Sequence, residues 1–454
     1  MEDDNESLIS EDVTPNNVDD DLRNAPEDRY NLAYIILFIS GVGALLPWNF
    51  FITDIPYFQY KLRNTSDNSS VLDPDHMTSS QVLFGNYLTL CSMIPLALTN
   101  ICSLVIAKWM GSFTRYICGS VVVLLMFILT VSLIPVYLPE QAFLGVTLSS
   151  VVLINIGNAL AQGGMYSIAA LLPPRNVKSC MEGQAIGGVL SAVANLITIG
   201  SATNLIDSSL AYFTFASFVL AMAMILTLSL RWLPYFQYYR SVEDSRKRNP
   251  EPPVTEIISE GSNMVDDQMA VRKGGWVFRS MFELWMPGCA VLLTFMITLS
   301  LFPAILQPIK STIYPASTTW AGKYFAPVIV YLSFNICDYI GRFIAGVFKW
   351  PRSNQQKLIF TLTIIRVTFI PFALIMNQQP RQHLPVVLGH DAFPIILVIL
   401  LGLTNGYFIS LEMMHAPDYA TPGNKERAGV ALSLYIALGL GLGVAASAGL
   451  ALAL

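Results

Sequence analysis

Apolar windows of about 20 residues recur along almost the whole chain, parted by short polar stretches. Eleven are long enough to cross a bilayer core, roughly 30–53, 81–107, 116–138, 141–172, 183–206, 208–230, 284–309, 324–348, 358–380, 392–414 and 428–454. Unpaired backbone groups are not tolerated in hydrocarbon, and the spacing does not suit a barrel, so each window is predicted to be a helix. Pro47, Pro95, Pro135, Pro303 and Pro371 fall inside windows and are predicted to mark kinks. The pattern defines an all-α, polytopic membrane protein.

Composition agrees with the pattern. Of 454 residues, 54% are hydrophobic and only 13% charged, where a soluble protein would carry roughly a quarter charged. Two stretches break the apolar rhythm. Residues 1–29 hold eleven acidic and two basic residues and read as a disordered cytoplasmic tail. Residues 233–283 are rich in Pro, Glu, Arg and Ser without a sustained helical period, and read as a flexible cytoplasmic linker. The chain thus divides into a first membrane half of six helices (30–232) and a second of five (284–454), a division that resembles two half-domains flanking a substrate path.

Basic residues orient the bundle. With the N-terminus in the cytoplasm, 20 Lys and Arg fall on inner segments and 5 on outer ones, with Arg366 inside a span. This asymmetry favours an inner N-terminus and, with eleven spans, an extracellular or lumenal C-terminus. Two sequons, at Asn64 and Asn68, fall in the first outer loop and are candidate glycosylation sites. In the tail, Asp4 precedes the pair Leu8-Ile9 in the acidic dileucine pattern, a candidate sorting signal for an adaptor protein. The six cysteines lie in or beside helices, none in an outer loop, so neither a disulfide framework nor a metal site is expected.

Charge inside the windows is where chemistry is expected, because such groups are costly in lipid and face the bundle interior or a wet cavity. The acidic residues read as lying within spans are Asp338 and Glu412, and Arg366 falls about 13 Å into the ninth window. Asp338 and Arg342 are four apart and share a helix face. They are either a buried ion pair joining helices or a device used by a polar solute or a gate. Trp48, near the outer end of the first window, is either an interfacial anchor, which its position favours, or an aromatic wall for a flat ring. Gln162 and Asn158 share a face, and their amides suit either inter-helix bonding or the edge of a base. Gly183, Gly187, Gly188, Gly439, Gly441 and Gly443 read as close helix packing. No P-loop, HExxH or triad arrangement occurs, so no enzyme activity, catalytic residue or cofactor is expected.

An ordered set of segments carries a family resemblance: PEDRY (26–30), LLPWNFF (45–51), MIPL (93–96), Gln162-Gly163, GQAIGG (183–188), FPA (302–304), FNICDYIGR (334–342), Pro380-Arg381, His390-Asp391 and TNGY (404–407). Together they resemble the equilibrative nucleoside transporters over residues 26–454, and KLRN (61–64) with PPRN (173–176) leans towards the endolysosomal branch. The resemblance implies a major-facilitator-like 6+5 arrangement with one central pathway and alternating access. It implies that Trp48 and Gln162 contact the base and that Asp338 holds the ribose hydroxyls beside Arg342. Ile52, Met93, Leu96, Tyr331 and Asn335 would line the cavity or its gates. Phe302 and Pro303 would belong to the outer closure, and Arg115 with Glu426 to the inner one.

Two departures stand out. Asn158 replaces a small glycine of the inhibitor-sensitive members. Glu412 and His415 stand where relatives are often apolar, and are expected to pair at the inner face or, as the alternative, to sense pH. The expected function is sodium-independent, facilitative transport of nucleosides such as uridine and adenosine, with nucleobases as a further substrate class. No metal or nucleic acid is expected as a partner. Residence is in the plasma membrane, or in late endosomes and lysosomes if the dileucine signal is used. The rival reading is a membrane receptor or channel without carrier activity. Eleven spans argue against the seven-helix receptors, and no repeated filter segment is found.

Overall fold

The computed structural model of the protein describes residues 25–63, 78–107, 109–201, 205–248, 281–315, 318–379, 384–420 and 425–453. Asp4, Leu8, Ile9, Asn64 and Asn68 lie outside them. Seven helices form the first half: α1 (Leu32–Thr53), the short α2 (Ile55–Lys61), α3 (Ser79–Ile106), α4 (Ser112–Leu133), α5 (Glu140–Ala170), α6 (Pro174–Ser201) and α7 (Leu205–Ser229). Helix α8 (Pro234–Arg248) follows. The second half holds α9 (Trp285–Leu301), α10 (Ser333–Phe348), α11 (Gln356–Ile365), α12 (Phe369–Leu374), α13 (Ala392–Tyr419) and α14 (Lys425–Ala453). Helix α10 continues a wider-wound stretch from Trp320 to Leu332, and a tight 3-10 turn, Arg366–Thr368, joins α11 to α12.

Among the described residues nine helical segments are long and apolar enough to cross a membrane. Two shorter apolar helices, Tyr87–Ser103 and Trp285–Leu301, occupy the second and seventh expected windows. The lipid-facing side is visible on α3, where Leu90, Ile94, Leu98, Ile101 and Val105 recur every three or four residues and are all exposed. Lipid tails are as apolar as these side chains, so packing is left to small and polar faces. A capping box starts this helix: the Gln81 amide donates to Thr78 Oγ1 at 3.2 Å, and the Thr78 amide donates to Gln81 Oε1 at 2.8 Å.

Within the halves α1 packs on α6, α4 on α5, α9 on α14 and α10 on α13. Between the halves two seams form, α6 against α10 and α14 against α3 and α5. Glycine makes these approaches close. A Cβ at Gly183 would lie 1.9 Å from the Phe38 carbonyl oxygen, and one at Gly406 equally close to that of Asp338.

Several sequence expectations are corrected here. Pro47 and Pro95 lie inside helices, but Pro135 and Pro303 lie just past the ends of α4 and α9, where a missing N–H ends a helix without kinking it. A methyl group at Gly441 would meet nothing within 4 Å, so it is no packing glycine, unlike Gly439 and Gly443. The stretch after residue 233 begins with a 15-residue helix, α8, whose Phe236 is buried edge-on against Phe113. Helix α6 starts nine residues before the fifth uncharged window, which brings Glu182 into the bundle at 3% exposure. A window chosen for lack of charge could not include it. Its carboxylate accepts from the Tyr34 hydroxyl of α1 and lies 3.3 Å from Lys178.

Glu412 and His415 do not pair. Gln356 Nε2, at the start of α11, donates to Glu412 Oε1 at 2.6 Å, and the Tyr419 hydroxyl donates to Gln356 Oε1 at 3.1 Å. The donor that Glu412 needs comes from the neighbouring helix, and the expected imidazole partner is not used.

Candidate functional site

A cavity of about 140 Å³ lies on the axis between the halves. Its walls come from α1, α3, α5, α6, α9, α10, α13 and α14, together with the chain leaving α9. Trp48, Ile52, Met93, Leu96, Gln162, Tyr331, Asn335, Asp338 and Arg342 all line it, as do Phe302, Pro303 and Asn158. Residues scattered over nearly 300 positions are thus brought to one chamber. Trp48 packs against a buried cluster of Met93, Leu96, Ala159 and Ala437. It is therefore a cavity-wall residue, and the interfacial-anchor reading is corrected.

The charged centre of the cavity is built on α10. Arg342 Nε donates to Asp338 Oδ2 at 2.8 Å along one helix face, and both side chains are almost wholly buried. The other carboxylate oxygen accepts from Asn405 Nδ2 of α13 at 2.6 Å. Each oxygen keeps a further lone pair, so the group can still accept hydrogen bonds from a solute. The guanidinium turns its Nη1 to the Met181 carbonyl of α6 at 2.9 Å. One ion pair therefore faces the cavity and also ties the second half to the first.

Behind it runs a polar chain that sequence reasoning did not assemble. Asn405 Oδ1 and Thr298 Oγ1 are 2.9 Å apart, and Arg366 Nη2 donates to the same hydroxyl at 2.8 Å. Arg366 also donates to the Thr294 carbonyl and the Thr404 hydroxyl, each at 3.0 Å. It is 2% exposed and is satisfied by carbonyls and hydroxyls within the second half, outside the cavity wall. Asn405 lay unassigned within TNGY. Thr298 gave no signal at all, because a threonine in an apolar helix usually bonds its own backbone.

The amide groups divide their work. Gln162 Nε2 donates to the Ala44 carbonyl of α1 at 3.2 Å while lining the cavity. Gln184, from GQAIGG, donates to the Tyr166 hydroxyl at 2.7 Å, and both also line it. Asn335 donates to the Tyr331 carbonyl at 2.8 Å. Its Oδ1 lies 2.1 Å from where a Gly188 methyl would sit, so that glycine makes room for it across the α6–α10 seam.

At one end of the cavity Phe302 stacks on Phe334, centroids 4.1 Å apart, and meets Tyr331 edge-on at 5.5 Å. Towards the other, Lys178 of α6 lies over the Phe343 ring at 5.0 Å. Arg115 does not line the cavity. It is buried on α4, with Nη2 donating to Ser167 Oγ at 3.1 Å. The side chain of Glu426, its expected partner, lies outside the described ones.

Two helical halves around a central cavity with a buried ion pair define a membrane transporter of the major facilitator fold. Solved structures agree: the chain matches the proton:xylose symporter XylE bound to 6-bromo-6-deoxy-D-glucose at a TM-score of 0.59, over 91% of this chain and 87% of that one, with 11% identity. The outward conformation of the transporter FucP matches at 0.52, over 90% and 89%, also at 11% identity. The sequence model of the family described as nucleoside transporter matches residues 148–450. Similar curated proteins include human equilibrative nucleoside transporter 1, 32% identical over 90% of this chain and 95% of its own. Rat equilibrative nucleoside transporter 3 is 32% identical over 91% and 87%, and the mouse form 2 is 30% identical over 91% and 95%. The chain belongs to the nucleoside transporter family.

Proposed function

We infer that the chain carries nucleosides across a membrane by facilitative transport, and is not an enzyme. The observation that carries this reading is the Asp338–Arg342 pair on the wall of a cavity between the halves. A ribose offers two vicinal hydroxyl donors. A carboxylate paired with a guanidinium can accept from both without requiring a charged solute. Trp48 supplies a face for the base and Gln162 an amide for its edge. Phe302 and Pro303 would form the outer closure. Arg342 against Met181, Lys178 over Phe343, and Arg115 with Glu426 would form the inner one. Alternating access would then be a rocking of the halves about the two seams.

In the same reading the N-terminus is cytoplasmic and the C-terminus extracellular or lumenal, with eleven spans and glycans at Asn64 and Asn68. An adaptor reading Asp4, Leu8 and Ile9 would direct the protein to late endosomes and lysosomes. Nucleobases are a second substrate class.

The test is uptake in cells carrying the protein at their surface. Uridine and adenosine should accumulate saturably with trans-acceleration, and replacing sodium with choline should change little. A non-saturable flux would favour a channel, and strict sodium dependence would sink the facilitative reading. Removal of both sequons should abolish any glycosidase-sensitive mobility shift, and alanine at Leu8 and Ile9 should move the protein to the surface.

A further inference from the structure

A second cavity, of about 120 Å³, lies where α1 ends against α6 and α7. Asp54, the residue that ends α1, lines it and is only 8% exposed. Its Oδ2 is buried without a hydrogen bond, and the Ser209 hydroxyl that faces the carboxyl carries no charge. Among the described residues, no Lys, Arg or His lines the cavity. A buried carboxylate without a counter-charge is costly, so the group has to take up either a proton or a cation.

The remaining walls say what kind of cation fits. Thr53 Oγ1 donates to the Asn49 carbonyl at 2.7 Å, so the Tyr212 hydroxyl, 2.5 Å away, donates to Thr53. Beside Thr53, the side chains that line the space and carry oxygen are few: Asp54 with its orphaned oxygen, Asn195, Ser208 and Tyr212. A hard metal ion takes six or more oxygens, which this set does not provide. An ammonium group needs two or three acceptors for its N–H bonds. Pro56, Ile199 and the Tyr212 ring give the rest of the space an apolar lining that suits hydrocarbon. The volume has room for roughly ten water-sized groups, enough for a small organic body.

We propose that this cavity is a second ligand site, which takes a small organic ammonium ion with its charge on Asp54 and its hydrocarbon against Pro56, Ile199 and Tyr212. Thr53 lines both this space and the central cavity, so the two sites are neighbours with distinct carboxylates.

The test uses the purified full-length protein in detergent, near neutral pH and at constant ionic strength. Benzylammonium should raise the melting temperature saturably, while benzyl alcohol and sodium should not. Asp54→Asn should lose this shift and Asp338→Asn should keep it, which separates the site from the nucleoside path. If Asp54→Asn does not yield monodisperse protein, Ile199→Trp, which fills the space, should abolish the response in its place. The proposal is overturned if wild type shows no amine-specific shift, if sodium matches benzylammonium, or if the shift survives Asp54→Asn or Ile199→Trp. It is also overturned if acidification alone stabilises the protein through Asp54, with no amine response, because the carboxylate then takes a proton.

Discussion

Asn405 of α13 donates through Nδ2 to Asp338 Oδ1 of α10 at 2.6 Å, so the carboxylate facing the cavity is held from a second helix as well as by Arg342. With one lone pair on each oxygen already used, the orientation of the group is set before a solute arrives. Pre-set acceptors do not have to be ordered when substrate binds.

Asp338→Asn keeps the shape but replaces one acceptor oxygen with a donor. Ribonucleoside uptake should fall steeply, while surface biotinylation shows near-normal amounts of protein. Dideoxynucleosides and hypoxanthine, which lack the vicinal hydroxyls, should lose much less. Proportional loss of all three with protein amount would make the pair purely structural.

Arg366 should be a fold determinant that reaches the site through Thr298 and Asn405. Arg366→Lys keeps the charge but cannot serve Thr294, Thr298 and Thr404 together, since an ammonium lacks the planar fork. The expected cost is on the order of 2–4 kcal/mol, from buried acceptors left without a donor. Fluorescence-detected size exclusion after heating would show it. Unchanged thermal stability would mean that water replaces the lost bonds.

How much of this was legible beforehand depends on what each residue signals. The all-helical membrane fold, the charged pair in α10 and the family's ordered segments were all readable, because lipid demands long uncharged helices and makes each exception conspicuous. Glu182 was missed because the test for a span excludes the charge being sought, and α6 begins well before its uncharged part. Asn405 and Thr298 were missed because their role appears only when α9 and α13 meet. The expected Glu412–His415 pair failed for the same reason: Gln356, 56 residues away, is the partner.

Gly183 and Gly441 offer a paired test of the helix seams. Gly183→Ala would place a methyl 1.9 Å from the Phe38 carbonyl oxygen, and backbone cannot step aside as a side-chain tip can. Helices α1 and α6 would have to separate, so folded protein should drop sharply. Gly441→Ala meets nothing within 4 Å and should be neutral or slightly stabilising, since alanine favours helix. Equal yields of the two variants would contradict the close α1–α6 approach.

Gln162→Ala should weaken nucleoside binding by about 1–3 kcal/mol if the base edge loses its partner. Because Gln162 also bonds the Ala44 carbonyl, a parallel loss of thermal stability would assign part of the effect to the α1–α5 contact. Trp48→Phe should bind better than Trp48→Ala, since a smaller ring still offers a face. Equal losses would point to the indole's bulk against Met93 and Leu96.

The corner outside α13 carries a pH prediction of definite sign. Asp391 Oδ2 accepts from the Ser311 hydroxyl at 2.5 Å, and Oδ1 accepts from the Thr312 amide at 2.7 Å and its hydroxyl at 3.0 Å. Burial alone would raise the carboxyl's pKa. The bonds from Ser311 and Thr312 outweigh it and hold the pKa below the usual carboxylate value. A depressed folded-state pKa contributes stability that is present above the unfolded value, near 4, and is lost only as pH falls through the folded one. The clasp between the two loops should therefore hold from neutral pH down to about pH 5, through the range of acidic organelles. Asp391→Asn should weaken it throughout that range, by about 1–3 kcal/mol, because a charge-assisted acceptor is gone. Amide exchange at Thr312, corrected for the intrinsic rate, reads this directly. Loss of protection in wild type already between pH 7 and 5 would assign the transition to another group.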